Sequence, residues 1–287
     1  EHGLVSLDAA GMSLTQEASD ILPMARLFSR ELRGLTKLET ALSARWNGTK
    51  VCVVPGDADQ DEHVLHEVGR SAAARLRSFL QSGSTLAVTG GTTIGQVAAT
   101  LPGGTPMNVM VVPARGGIGR SLETQANTIA CEIARRLGGH HRMMHLPDLL
   151  DEQALNEMRK LKEIDETLAL LERADVVLHG IGRADEMARK RQLPPAVEAE
   201  VLKRGAVSEA YGCYFDRNGK MVCSASTVAH DLGKLKPDCA WIAVAAGTGK
   251  AEAIDGAMRA KPHRMLVTDE GAAKAILALP EKECLHA

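Results

Sequence analysis

The feature that most restricts the fold of this sequence is a pattern that recurs six times after residue 50. A short run rich in β-branched residues leads into a loop containing Gly or Asp, and a helical segment follows, in residues 51–57, 85–93, 108–119, 175–185, 241–250 and 265–273. Strands that alternate with helices form a parallel sheet covered on both faces. Near-continuous apolar runs such as 51–54 and 109–112 are typical of strands buried on both sides. The sequence therefore predicts an α/β fold with a doubly wound, mostly parallel, Rossmann-like sheet.

One segment departs from this pattern. Residues 207–226 contain two extended runs on either side of Arg217-Asn218-Gly219-Lys220. Asn-Gly between two such runs is a strong hairpin signal. We therefore expect a β-hairpin inserted between the fourth and fifth repeats.

The N-terminal 48 residues have a different organisation. Apolar residues recur at steps of three or four between about Ser19 and Trp46, which predicts one long helix that Pro23 kinks or starts and Asn47-Gly48 ends. This helix either packs on the main domain or connects it to a preceding domain, and the sequence leaves both open. Because the chain begins at Glu1, we interpret it as part of a longer protein. The expected division is 1–18 as a domain remnant, 19–48 as a linker helix and 49–287 as the main domain.

Composition excludes several classes of function. The 34 Lys and Arg against 36 Asp and Glu give a net charge of −2, with no basic excess for a nucleic-acid backbone, and aromatic residues, at 2%, are too few for a base-stacking platform, so we do not expect this chain to bind DNA by itself. No membrane span or signal peptide is present in the sequence, which predicts a cytoplasmic protein. The six cysteines are scattered without metal-ligand spacing, so we expect reduced thiols, no metal and no cofactor.

Two loops that follow predicted strands suit a phosphate. Gly91, Thr92 and Thr93 open a helix, where small residues and unpaired N–H groups favour an anion, although a tight turn with a threonine cap has the same pattern. Arg115 follows the neighbouring strand and suits a bidentate phosphate clamp, or is a solvated loop residue. Gln125 lies in the next helix, from which its amide could reach the same crevice.

Later strand ends add cations and carboxylates. His179 ends the fourth run and is more typical of a core histidine than of a base. A cationic helix follows it with Arg183, Arg189, Lys190 and Arg191, and Lys250 closes a second glycine loop. Glu209 and Asp269 could accept sugar hydroxyls. In open α/β sheets, ligands bind at these carboxyl ends, so the combination predicts a phosphosugar site.

The ordered motifs resemble a known family. The strings VVPGDADQD, VTGGTT, VPARGGIG, QANTI, LHGIG, VSEAYGCYF and VTDEGAA are similar to those of the effector domain of SorC/DeoR-type bacterial transcriptional regulators, over about residues 50–280. The resemblance implies a sugar-phosphate-isomerase-like fold and a repressor of glycolytic genes that senses fructose-1,6-bisphosphate or a related phosphosugar. It also implies that residues 1–18 end a winged helix, so that operator DNA is read outside this chain, and that the protein is a dimer or tetramer.

The resemblance further implies a set of ligand contacts. They are Gly91, Thr92, Thr93, Arg115, Gln125, Lys190 or Arg191, Glu209 and Lys250. The loop AAGTGK has alanine where a second glycine is expected, and spacing does not decide which of Arg189, Lys190 and Arg191 faces the ligand.

Two alternatives to a ligand sensor stay open. A sugar-phosphate isomerase or deaminase would need a positioned base, for which Asp185, Glu209 and Asp269 are candidates. A pure oligomerisation module would use the 19–46 helix. The sequence favours a non-enzymatic sensor whose ligand shifts the geometry of DNA-reading domains.

Overall fold

The computed structural model describes residues 3–8, 11–115, 122–146, 152–224 and 235–280. The strands are β1 Val5–Asp8, β2 Gly11–Leu14, β3 Lys50–Val54, β4 Thr85–Val88, β5 Met110–Pro113, β6 His140–His141, β7 Val176–Arg183, β8 Ala206–Ala210, β9 Cys213–Asp216, β10 Met221–Ser224, β11 Ala240–Val244 and β12 Met265–Asp269. The helices are α1 Gln16–Leu32, α2 Leu35–Arg45, α3 Glu62–Leu76, α4 Thr92–Thr100, α5 Ala126–Leu137, α6 Glu152–Met158, α7 Lys162–Glu172, α8 Ala184–Lys190, α9 Pro195–Lys203, α10 Ala251–Ala260 and α11 Glu270–Ala278.

The central sheet is parallel, in the order β6-β5-β4-β7-β11-β12-β3. After β4 the chain runs outward through β5 and β6. It then crosses to β7 on the other side of β4 and continues in the opposite direction. β4 and β7 therefore flank a topological switch point, where the loops that follow them diverge and leave a crevice. The predicted doubly wound, mostly parallel sheet is confirmed.

Alternation along the strands divides the core into two layers. Val53, Ala87 and Val177 join one apolar cluster with α2, α7, α10 and α11. Cys52 and Leu86 join the other, with α3, α4 and α5. Successive strand residues point to opposite faces, so a strand with helices on both sides needs apolar residues throughout. This explains the continuous apolar runs of the sequence.

The segment after α9 is larger than the predicted single hairpin. β7 pairs in parallel through its first half, but its last three residues pair antiparallel with β8, which continues into β9 and β10. The run before Arg217 is thus two strands, separated by a tight turn at Tyr211-Gly212 with φ of 42° and 94°. The prediction missed this turn because Tyr rarely adopts a positive φ. The predicted turn at 217–220 is present.

The predicted long helix is wrong as a single element. Gly34, with φ of 69°, separates α1 from α2, because a left-handed residue ends a helix. Pro23 lies inside α1 and is not the break, while Thr15 caps the start by accepting from the N–H of Ala18. The predicted stop at Asn47-Gly48 is present, with positive φ at both residues.

The break also divides the predicted apolar face. Leu35 and Leu42 of α2 are buried against the sheet. Phe28 and Leu32 of α1 are exposed by 64% and 73%. Residues before α1 form an antiparallel ribbon of β1 and β2 whose side chains are all exposed. That this ribbon ends a winged helix stays a prediction. No helix in the described ranges is long and apolar enough to cross a membrane.

Candidate functional site

The switch point between β4 and β7 collects loops from five strands. Arg115 follows β5, the Gly91 loop follows β4, Glu209 lies on β8 beside the end of β7, and Lys250 follows β11. Asp269 ends β12. The carboxyl ends of parallel strands meet at one edge of a sheet, which is why residues so far apart in sequence converge here.

The glycine-threonine loop is shaped by contacts with the segment before α5. The N–H of Gly91 donates to the carbonyl of Thr124 at 2.9 Å, and a Cβ on Gly90 would lie 2.5 Å from that same oxygen. Gly91 itself has φ of 121°, a conformation open to glycine. No side-chain hydrogen bond from Gly91 caps α4, which begins with exposed Thr92 and buried Thr93. This is the geometry of a helix N-terminal anion site.

Gln125 lies beside this loop. It immediately follows Thr124 and precedes α5, where its carbonyl accepts from the N–H of Ile129. Gln125 is thus adjacent in sequence to the residue that contacts the glycine loop and lies one residue before the helix in which we expected it, and that its amide reaches the crevice stays a prediction.

Arg115 and Arg191 share one carboxylate. Glu209 Oε1 lies 3.3 Å from Arg115 Nη1, and both Glu209 oxygens lie 3.1 Å from Arg191 Nη2. The N–H of Gly212 also donates to Glu209 at 2.8 Å. Arg115 and Glu209 are buried, and the Arg191 side chain is largely so.

The electrostatics of this trio favour an ionised glutamate. Burial alone would raise the pKa of Glu209, but the Arg191 and Arg115 guanidinium groups outweigh burial and hold the pKa below its usual range. Two guanidinium groups against one carboxylate leave a net charge of +1. An arginine pair held in place in a buried crevice is suited to a phosphate or a similar anion.

The structure shows which of the cations on and beside α8 is directed at Glu209, a question that sequence spacing left open. Arg189 bonds Asp185 at 3.0 Å on the exposed side, and Arg183 bonds the same carboxylate at 2.9 Å. Lys190 is exposed at the end of the helix. Arg191, one residue beyond α8, is the one directed at Glu209.

The Gly247–Lys250 loop can offer an anion its lysine but not its backbone. Its N–H groups already donate to carboxylates, from Gly247 to Asp269 at 2.9 Å, from Thr248 to Asp57 at 3.2 Å and from Gly249 to Asp59 at 2.7 Å. The backbone of this loop thus has no donors left for an anion, and only the Lys250 side chain remains. Asp57 and Asp59 were not among the predicted site residues, because nothing in the order of the motifs pairs the first loop with the fifth.

Lys250 lies in a mixed electrostatic environment. Burial lowers its pKa, the carboxylates of Glu186, Asp59 and Asp269 oppose this, and Lys190 adds to the lowering. Lys250 and Lys190 are therefore close enough to affect each other, and an incoming dianion would relieve their repulsion.

Asp269 has a structural partner for each oxygen. Its Oδ2 accepts from the N–H groups of Ala58 and Gly247, and Oδ1 caps α11 through Ala272. The side chain is fully buried. This geometry ties three loops together, and it leaves the carboxylate little capacity to accept a sugar hydroxyl.

His179 is a core histidine, as its pattern indicated. It is fully buried, with Nδ1 3.0 Å from the carbonyl of Gly180 and Nε2 3.0 Å from Nε2 of His263. Within the described residues, no three His, Cys, Asp or Glu side chains are grouped to hold a metal. Five cysteines there are unbridged, and Cys284 lies outside the described residues, as do Gly116 and Gly117 next to Arg115.

Comparison with known proteins gives one consistent group. The family model described as "Putative sugar-binding domain" matches residues 30–278. The chain is 39% identical to the central glycolytic genes regulator of Priestia megaterium over 280 residues, which cover 96% of this chain and 82% of that protein. It is 36% identical to the protein of the same name from Bacillus subtilis over 278 residues, with the same two coverages.

Solved structures agree with the sequence relatives. The structure described as "the putative SorC family transcriptional regulator from Enterococcus faecalis" superposes with a TM-score of 0.78 at 33% identity, over 84% of this chain and 99% of that one. The full-length sorbitol operon regulator from Klebsiella pneumoniae gives a TM-score of 0.78 at 21% identity, over 89% of each chain, which supports the fold alone.

Proposed function

The chain belongs to the family of sugar-binding domains of SorC/DeoR-type bacterial transcriptional regulators, and from this premise we propose that it senses a phosphorylated sugar for a repressor of glycolytic genes. The observation that carries this proposal is the buried Arg115–Glu209–Arg191 trio at the switch crevice. It adds a fixed positive charge and a hydroxyl acceptor to a crevice whose other wall is the uncapped start of α4. Fructose-1,6-bisphosphate is the ligand we favour, since its charges are at its two ends.

The geometry suggests an orientation for a bisphosphate. One phosphate would bind the first N–H groups of α4, with Thr92 and Thr93, near the arginine pair. The hydroxylated middle would face Glu209 and Gln125. The other phosphate would reach Lys250, with Lys190 beside it, because the carboxylates occupy the backbone donors of the Lys250 loop. Asp269 then positions loops and does not touch the sugar.

The environments of the candidate bases favour a sensor over an isomerase. Proton abstraction needs a carboxylate or imidazole free to accept a proton near the sugar. Glu209 is held ionised by two arginines, Asp269 accepts three backbone N–H bonds, and His179 is enclosed in the core. Asp185 is bonded by Arg183 and Arg189.

The regulatory step we propose is a linked equilibrium. A phosphosugar that binds one arrangement of the crevice better than another shifts the population of the regulator. A coupling of about 1–3 kcal/mol would change operator affinity by about 5- to 150-fold. Operator DNA would be read in the cytoplasm by another domain, and α1 would join the copies of an oligomer.

Calorimetric titration tests the ligand class. We expect fructose-1,6-bisphosphate to bind more tightly than fructose-6-phosphate, and fructose to show no heat of binding at millimolar concentration. Inorganic phosphate serves as a control for charge without a sugar. Equal affinity for fructose and its phosphates, or no binding of either phosphate, would contradict the proposal.

A further inference from the structure

A second cavity lies at the edge of the sheet opposite the phosphosugar crevice. It has a volume of about 540 Å³ and is bounded by the turn after α2, the loop between α10 and β12, and the hairpin turn between β9 and β10. These segments lead into the amino ends of β3 and β12, whereas the crevice is at the carboxyl ends. We call it the amino-edge cavity. Pockets of roughly 300–1,000 Å³ accommodate small molecules.

Two of its arginines share one carboxylate, which leaves one positive charge in excess. Arg45 donates to Asp255 through Nε at 2.9 Å and Nη2 at 2.8 Å, and Arg259 donates to the same carboxylate at 3.0 Å. The Trp46 indole N–H completes the cluster at 3.0 Å. This arrangement fixes the inner wall of the cavity and makes it rigid.

The outer wall carries three further cations. Lys50, Lys261 and Arg264 line the cavity and have no ion-pair partner among the residues that the structure describes. Lys261 has its ammonium 4.4 Å from the centre of the Trp241 ring. No described carboxylate lines the cavity itself. The electrostatic field inside it is therefore positive, which concentrates anions.

The rest of the lining is mixed. Phe79, Met258 and Pro262 supply apolar side chains, and Asn47 and Asn218 supply amides. Inorganic phosphate would fill little of this space. A flat aromatic group on the anion would use both the volume and these side chains.

We propose that the amino-edge cavity binds a small phosphomonoester that carries a flat aromatic group, through Lys50, Lys261 and Arg264. This site is separate from the crevice of the proposed function and does not depend on it. Asn218 in the wall belongs to the same antiparallel strands that hold Glu209, and Gly219 packs so closely that a Cβ would lie 2.6 Å from the Ala260 nitrogen. The two sites thus contact one continuous element from opposite ends.

Titration with adenosine 5′-monophosphate tests this proposal on the whole chain. We expect binding that weakens by about 10-fold or more in the double variant Lys50→Gln, Arg264→Gln, because two charge-assisted contacts are lost. Both residues are exposed, so the fold should be retained. The matched controls are Lys203→Gln on exposed α9 and Arg191→Gln in the crevice, neither of which should change the affinity.

Two partial probes distinguish the components of the ligand. Adenosine without phosphate should not bind, and inorganic phosphate should bind more weakly than the monophosphate. The proposal is overturned if none of the three binds, if adenosine binds as tightly as its phosphate, or if Arg191→Gln removes binding while Lys50→Gln, Arg264→Gln does not. Binding of an acidic peptide in place of all three probes would likewise overturn it, and would indicate a protein partner.

Discussion

At the scale of single residues, Glu209 holds the two buried arginines of the crevice in place. Without its carboxylate, the buried guanidinium groups of Arg115 and Arg191 would repel each other at short range. Glu209 offsets that repulsion and fixes both groups, yet leaves one positive charge in excess. A phosphate entering the crevice therefore meets donors whose orientation is already set, which lowers the entropy cost of binding.

Arg191 and Arg189 provide a matched pair for testing this arrangement. Arg191→Gln should weaken phosphosugar binding by about 10- to 150-fold, since a charge-assisted hydrogen bond is worth about 1.5–3 kcal/mol. Arg189→Gln removes the same charge from an exposed side chain that bonds Asp185, and its effect should be small. Calorimetric titration of both variants measures the difference. Equal losses would mean that long-range charge, not the Glu209 trio, attracts the ligand.

Lys250 should determine the preference for a second phosphate. Lys250→Gln is expected to reduce the affinity for fructose-1,6-bisphosphate by about 10-fold and to change that for fructose-6-phosphate much less, because only the bisphosphate reaches it. The measured quantity is the ratio of the two affinities, with Lys203→Gln as the control for charge. A ratio equal to that of the parent protein would place the second phosphate elsewhere.

The buried histidine pair predicts acid sensitivity. Burial lowers the pKa of His179 from 6.5 to about 4, and it lowers that of His263 to about 3 with help from His179 and Lys261. The unfolded chain thus binds protons that the folded chain excludes, and stability present above pH 6.5 is lost as the pH falls toward 4. For His179 the loss between pH 7 and pH 5 should be about 2 kcal/mol.

Denaturant unfolding at the two pH values measures this loss. His179→Gln should show a smaller decrease in unfolding free energy between pH 7 and pH 5 than the parent protein, even if it is less stable at both. His141→Gln, at an exposed position, should keep the full decrease. An unchanged decrease in His179→Gln would assign the acid sensitivity to the carboxylates.

The sequence predicted which polar residues lie near one another, but not which of them form hydrogen bonds or ion pairs. Strand ends are readable from the pattern, and parallel strands bring their ends together, so Gly91, Arg115 and Glu209 could be grouped in advance. Pairing within the group depends on tertiary contacts between distant loops. For that reason the division of roles between Arg189 and Arg191, and the filling of the Gly247–Lys250 donors by Asp57 and Asp59, became visible only in the structure.

At the scale of elements, α1 carries an apolar face that none of the residues described by the structure covers. Its exposed apolar residues recur at steps of three or four, except for two that are adjacent in sequence. They are Ile21, Met24, Leu27, Phe28 and Leu32. Such a stripe is typical of helices that pair with another helix. We expect α1 to pair with α1 of a second copy, in line with the oligomer proposed above.

Sedimentation analysis tests the pairing. Phe28→Ala together with Leu32→Ala should weaken the dimer by more than 10-fold, because each buried apolar side chain contributes about 1.5–3 kcal/mol and both copies lose it. Arg26→Ala, at an exposed position away from Phe28 on the helix, is the control. A double variant that dimerises like the parent protein would exclude α1 as the interface.

Helices and strands were predictable where the spacing of apolar residues matches the backbone conformation, and not where the backbone turns without a change in that spacing. The six strand and helix repeats were recognised because each strand has a run of mostly apolar residues. The N-terminal helix was misjudged because an apolar stripe continues in sequence across Gly34, although the backbone turns there. Likewise β8 and β9 read as one strand, because Tyr211 takes a positive φ that its residue type disfavours.

At the scale of the whole molecule, the continuous sheet should make the domain unfold as one cooperative unit. Its parallel strands share core layers on both faces, and β7 belongs both to the parallel part and to the antiparallel part that carries Glu209. A ligand that binds at the switch crevice, as proposed, would contact loops from several of these strands at once. Its binding energy should therefore oppose unfolding of the entire domain and not of one lobe.

Thermal unfolding with and without ligand tests this cooperativity. At a concentration of 100 times its Kd, a ligand that binds only the folded state stabilises it by about 2.7 kcal/mol. For a domain of about 250 residues this corresponds to a rise in Tm of about 5–11 °C. We expect one calorimetric transition that fructose-1,6-bisphosphate moves upward by this amount, while fructose leaves it in place and Arg191→Gln reduces the shift at the same ligand concentration. The contrary result would be two transitions, with the ligand raising the Tm of one of them. The antiparallel strands and the parallel sheet would then unfold separately, and the crevice would belong to the part whose Tm rises.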